Sequence, residues 1–132
     1  MNQDQSHFEY LYATVVPVLL GSGPKARKTA SSLYLHHALN PHWFGRGADF
    51  KLVVHVKRHL LPSPLWEMSD ALLLQILLDF AAEQNGILVL FPCDESAEDF
   101  VNRNLPALES RYVILSPCDE GDPLAPLVRK TY

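Results

Sequence analysis

Two short loops hold the residues of this chain best suited to chemistry. The first, Gly21-Ser22-Gly23-Pro24-Lys25-Ala26, matches the relaxed dinucleotide pattern GxGxxA. Glycines at those positions let a backbone approach a ligand closely, and a helix opened by Pro24 would present unpaired N–H groups to an anion. The acid that a ribose-binding site expects at the end of the second strand is absent, because Gly45-Arg46-Gly47 stands there. That argues against NAD, whereas an arginine suits a 2′-phosphate. The loop is not a P-loop either: Lys28-Thr29 resembles the end of one, but Arg27 stands where the loop requires glycine. A tight strand-to-helix turn is the plainer reading of the same residues. The second loop is Pro92-Cys93-Asp94-Glu95-Ser96. Asp94 and Glu95 could take a cation or a substrate amine, and Cys93 could act as a nucleophile near a helix start. Capping that helix is the plainer role for Asp94.

Other reactive residue types do not form a pattern. His36 and His37 are adjacent and would point in different directions on a helix, while His55 and His59 straddle a strand end. With no HExxH or similar spacing, no metal site is expected. Cys93 and Cys118 lie 25 apart without CxxC spacing and are expected as free thiols. Trp43 and Trp66 read as core or interface anchors. The net charge of −4 gives no nucleic-acid footprint. It is unevenly spread, since residues 1–66 carry +4 and residues 67–132 carry −8. Lys25, Arg27, Lys28, Arg46, Lys51, Lys57 and Arg58 form the basic set, which suits either an anionic ligand or a solvated face.

The elements that must position these loops follow from hydrophobic pattern. The 132 residues, 48% hydrophobic, suit one domain able to bury a core without disulfides or metal. No apolar run reaches the roughly 18 residues of a membrane helix. Met-Asn-Gln-Asp-Gln-Ser-His does not open a signal peptide, so a cytoplasmic location is expected. Residues 13–20 (ATVVPVLL) read as a strand buried on both faces, although Pro17 removes a ladder donor. Residues 25–38 predict a helix with Ala26, Ala30, Leu33 and either Leu35 or His37 on one face. Strands are expected at 42–45, 51–56, 87–91 and 111–115, and a long helix at 64–84 carrying Leu65, Met68, Leu72, Ile76 and Phe80. A short acidic helix at 95–104 and a further helix beginning near Leu124 complete the order. Apolar strands alternating with helices predict an α/β fold, a doubly wound, mostly parallel sheet flanked by helices. In such sheets ligands collect beyond the carboxyl ends of the strands, where both loops would lie.

With the loops so placed, the chain resembles the N-terminal, Rossmann-like pre-ATP-grasp domain of ATP-grasp carboxylate–amine ligases, the group that includes D-aspartate ligase-like and carbamoyl-phosphate-synthase-like enzymes. Val15-Val16-Pro17-Val18-Leu19-Leu20-Gly21-Ser22 is similar to the family's first strand and glycine turn, and Leu88 to Asp94 to its later strand and active-site loop. Phe100 to Ile114 resembles the helix, linker and strand that follow. The resemblance implies a loose N-terminus at 1–12, a domain at 13–122, and at 123–132 the start of a helix towards separate ATP-grasp domains. ATP and Mg²⁺ would be held by those domains, so this chain would be inactive alone and hold no cofactor itself. It would contribute Gly21, Ser22, Gly23, Lys25, Cys93, Asp94 and Glu95 to the shared cleft, and its exposed inter-domain surface could support a weak homodimer. The stretch His42–Gly47 and the basic run after Pro24 depart from the family. Two other readings stand beside it: a self-contained nucleotide- or phosphate-binding regulatory module using Gly21 to Ala26, and a protein-interaction domain.

Overall fold

The computed structural model describes residues 14–46, 56–117 and 121–127. Five strands, β1 (Val15–Leu20), β2 (His42–Gly45), β3 (Lys57–Leu60), β4 (Ile87–Pro92) and β5 (Val113–Ile114), form one sheet. Their order is β3-β2-β1-β4-β5 and every pair is parallel. The two central strands are apolar at nearly every position because both faces of the sheet are covered. Val18, Leu20, Leu88 and Leu90 point to one face, and Val15, Leu19, Val89 and Phe91 to the other. Helix α1 (Pro24–His37) packs Ala26, Ala30 and Leu33 on the second face. Helices α2 (Asp70–Ala82) and α3 (Glu95–Arg103), followed by the short α4 (Leu105–Glu109), cover the first. This is the expected α/β, doubly wound, Rossmann-like arrangement, with strand order reversing between β1 and β4.

Pro17 sits in the central strand, and hydrogen-bond parity explains how. Gly21 N–H bonds to Phe44 O on β2, so the odd-numbered amides of β1 face β2. Pro17 is odd-numbered, and the β1–β2 ladder begins only at Val18. Its missing donor therefore falls ahead of the ladder, while its pairing with Val89 of β4 is intact. The strand needs neither bulge nor edge.

Four element boundaries differ from the sequence expectation. The expected long helix is divided: a single 3₁₀ turn at Leu65–Glu67 ends at Met68, and α2 restarts behind Ser69, whose hydroxyl accepts the Leu72 N–H at 3.2 Å. That restart shifts the buried stripe to Leu73, Leu77, Phe80 and Ala81, and leaves Leu72 half exposed. Strand β3 lies at Lys57–Leu60; the expected stretch 51–55 is outside the described residues, as are the N-terminal residues 1–13. Strand β5 is only two residues long, and α4 occupies the span read as a linker. On α1 it is Leu35 that is exposed, whereas His37 is half-buried and bonds through Nε2 to Asp122 Oδ1 at 2.7 Å. Leu124 and Leu127 then fold back onto the α1 face of the core.

Candidate functional site

A cleft of about 260 Å³ lies beyond the carboxyl ends of β1 to β4, at the switch point. One wall is the β1–α1 loop, through Gly21 and Ser22, and its floor is Asp94 after β4. The opposite wall comes from the ends of β2 and β3: Gly45 and Arg46, then Leu61 and the run Ser63 to Trp66. Trp66 is 76% exposed at the rim. The Arg46 guanidinium is pinned by donating to Pro62 O, which ties the two segments of this wall together.

Asp94 joins the two loops that the sequence singles out. Its Oδ2 accepts the Ser22 N–H at 2.9 Å, and its Oδ1 accepts the Ala97 N–H at 2.8 Å as the N-cap of α3. The close approach requires glycine at 21, because a Cβ there would sit 2.5 Å from Asp94 Oδ2 and the backbone is left-handed at φ +96°. Gly21 is held from two more sides: its N–H donates to Phe44 O at 3.0 Å, and its carbonyl accepts from the buried Trp43 indole. A carboxylate thus already occupies the amide that a phosphate would seek in a dinucleotide loop. The glycine turn is used for internal bonding.

No family model, curated protein or solved structure matches this chain. The chemistry of the site is therefore read from its geometry.

Five of the residues expected to act together, Ser22, Lys25, Cys93, Asp94 and Glu95, line a second, broader depression beside α3, with Glu98 and Asp99. Gly21, Ser22 and Asp94 line the first cleft, and Gly23 stands outside both linings. Gly23 takes φ +102° at the start of α1 with open space around it and gives that helix no side-chain cap. Lys25 and Glu95 are exposed. The nucleophile reading of Cys93 does not survive the geometry. Its side chain is buried, its Sγ donates to Phe91 O at 3.3 Å, and burial, followed by the negative charge of Asp94, pushes the thiol up to about 12. A protonated, buried thiol does not attack an electrophile at neutral pH. Among the described residues no three His, Cys, Asp or Glu side chains converge as metal ligands, and no helix is long and apolar enough to cross a membrane.

Among the described basic residues, Arg46 and Lys57 lie apart, and Lys51 is outside the described residues. Arg46 lies past the end of β2, whereas Lys57 pairs with His42 at the opposite end of the same two strands. Sequence reasoning noted only that an arginine at 46 suits a 2′-phosphate and read Trp66 as a core or interface anchor, and missed that both belong to one cleft wall with Ser63. The usable signal was the carboxyl-end rule applied to the third strand, which needs that strand's end at Leu60 rather than Val56.

Proposed function

We propose that this chain is the substrate-cleft domain of an ATP-dependent carboxylate–amine ligase of the ATP-grasp type, with ATP and Mg²⁺ held by separate domains and no turnover by these 132 residues alone. One observation carries the reading: Asp94 accepts the amide of Ser22 and caps α3, so that amide is taken while the cleft beside it stays open. Such a domain offers a substrate a wall with a guanidinium (Arg46), a hydroxyl (Ser63) and an aromatic rim (Trp66). When bound in the neighbouring domains, ATP would supply activation of the carboxylate as an acyl phosphate. The residues of this chain would position the acceptor or the acid and exclude water. The resemblance of β1, its glycine turn and the β4 loop to the pre-ATP-grasp domain supports the same assignment.

The test has two arms. The 132-residue chain should show no Mg²⁺-dependent ATP hydrolysis. The chain expressed with the coding sequence that follows Tyr132 should hydrolyse ATP when offered a carboxylate and an amine together. Robust turnover by the 132 residues alone, or a downstream frame without a lysine-bearing nucleotide fold, overturns the proposal.

A second reading, a stand-alone nucleotide- or phosphate-binding module, is favoured by the uncapped N-terminus of the 14-residue α1. It requires calorimetric heat with NADP or another phosphorylated ligand, lost in Gly23→Val and weakened by salt. A silent nucleotide panel removes it.

A further inference from the structure

On the neighbouring strands β2 and β3, two histidines meet on one face of the sheet. His42 Nδ1 lies 2.9 Å from His59 Nε2. The pair is walled by aromatic rings: His59 stacks on Phe44 with centroids 4.4 Å apart and planes 8° from parallel, and His42 meets the edge of Phe80 of α2 at 4.7 Å. At 2.9 Å the two nitrogens can share one hydrogen, so one ring donates and the other accepts through a lone pair. When both rings carry their full complement of protons, two N–H groups face each other and the bond is lost.

The position of this pair gives it leverage. Strand β3 is an edge strand bonded only to β2 among the described residues. The ladder is closed at one end by Lys57 N–H to Pro41 O at 2.8 Å and at the other by Leu61 N–H to Gly45 O at 3.0 Å. The side chains of Lys57, Arg58 and Leu60 are exposed, so β3 brings little apolar burial of its own. Leu61 is also the first residue of the cleft wall that continues through Ser63 to Trp66. Whatever holds β3 on β2 therefore holds that wall.

We propose that the His42–His59 pair is an acid-released latch that fixes edge strand β3, and through Leu61 the Ser63–Trp66 wall of the cleft, to the rest of the sheet. The charged surroundings set the direction. On β3 the neighbour is Lys57, the register partner of His42. Strand β1 sets Val18 in register with His42, α2 presents the ring of Phe80, and Val16, Pro17 and the neutral Gln84 line the groove that His42 borders. No carboxylate among these groups compensates an imidazolium. Burial first, then Lys57, then His59, hold His42 down at about 4, and burial and Lys57 lower His59 as well. The folded pair is thus neutral where the unfolded chain, with ordinary imidazoles near 6.5, takes up protons. The latch is fully engaged above about pH 6.5 and weakens as pH falls towards 4.

Amide hydrogen exchange by NMR on the whole chain tests this, with protection factors for Lys57 and Leu61 compared with that of Ile87, which bonds to Thr14 O on the far side of β1. Between pH 7 and pH 5 the protection of Lys57 and Leu61 should fall roughly tenfold relative to Ile87, an effect scaled down because the pair is half-buried and solvent-screened. His59→Gln keeps a hydrogen-bonding group that does not titrate and should flatten the dependence. Equal protection changes at all three amides, or an unchanged pH slope in His59→Gln, overturns the latch. Should the variant not fold, the imidazole titrations of the unmodified chain decide: a His42 midpoint well below 6.5 supports the proposal, and two independent midpoints near 6.5 overturn it. None of these readings depends on what the cleft binds.

Discussion

Asp94 and Gly21 act as one unit, and substitution should expose that. Gly21→Ala places a methyl group on the Asp94 carboxylate and forces alanine into a left-handed conformation. We expect a loss of about 2 kcal/mol or more, read as a shift of the urea midpoint. Asp94→Ala removes the α3 cap and the Ser22 bond together, for a loss of about 2 kcal/mol. The double variant should be less destabilised than the sum of the two, because the clash disappears with the carboxylate. Strict additivity would show that the two residues do not meet. Gly23→Ala is the control: strain without collision, and a loss nearer 1 kcal/mol. Cys93 behaves differently at the same loop. Buried and protonated, it should resist iodoacetamide at pH 8 in the native chain and react once urea exposes it. Rapid native modification of Cys93, located by peptide mass mapping, would contradict its burial.

Among the elements, β1 carries the sharpest contrast. Pro17 faces β2 where no ladder exists, so Pro17→Ala should change stability by less than about 1 kcal/mol. Two residues later the same face is bonded to β2, in register with Trp43. Leu19→Pro should cost about 3 kcal/mol or more and abolish cooperative unfolding followed by circular dichroism. Similar sensitivity to both substitutions would mean that the strand is paired differently. The sheet is also tied to its helices by single polar bonds. The Tyr112 hydroxyl, buried ahead of β5, donates to Leu77 O on α2 at 2.7 Å. Tyr112→Phe removes that second bond to the helical carbonyl and should lower stability by about 1 kcal/mol. Such a bond matters more here than elsewhere, since β5 contributes only two residues to the ladder.

At the scale of the whole molecule, the sheet divides the core into two clusters. One lies under α2 and α3, and the other under α1 and the segment 121–127. Leu124 is fully buried in the second, and the His37–Asp122 contact clasps the same segment to the end of α1. Leu124→Ala should therefore cost about 2–4 kcal/mol, as a core position rather than as part of a trailing linker. A loss below 0.5 kcal/mol in a urea titration would show that the segment is merely laid on the surface. The charge asymmetry between the halves of the chain resolves at this scale as well. Acidic α3 side chains flank the second depression, while the lysines and arginines spread over α1, the end of β2 and the edge strand β3.

Much of this architecture was legible in the residues themselves. Continuous apolar runs such as Val15–Leu20 and Ile87–Phe91 demand burial on both faces, and that alone implies a parallel sheet with helices on either side. The glycine turn after the first strand and the acidic loop after the fourth were equally visible, because positive φ and capping leave local signatures. What the residues could not disclose is which loops meet. A capping aspartate reads the same whether its second oxygen faces solvent or the amide of Ser22, 72 residues away. The tolerance of Pro17 depends on which neighbour its amide would have faced, and that is a property of strand order. The cleft wall that joins Arg46 to the Leu61 and Ser63–Trp66 segment, and the meeting of His42 with His59, likewise arise only when β3 is set in register beside β2. Local pattern specifies an element through its own hydrophobic period. Sites are made where elements distant in sequence pack together, and only the tertiary structure carries those distances.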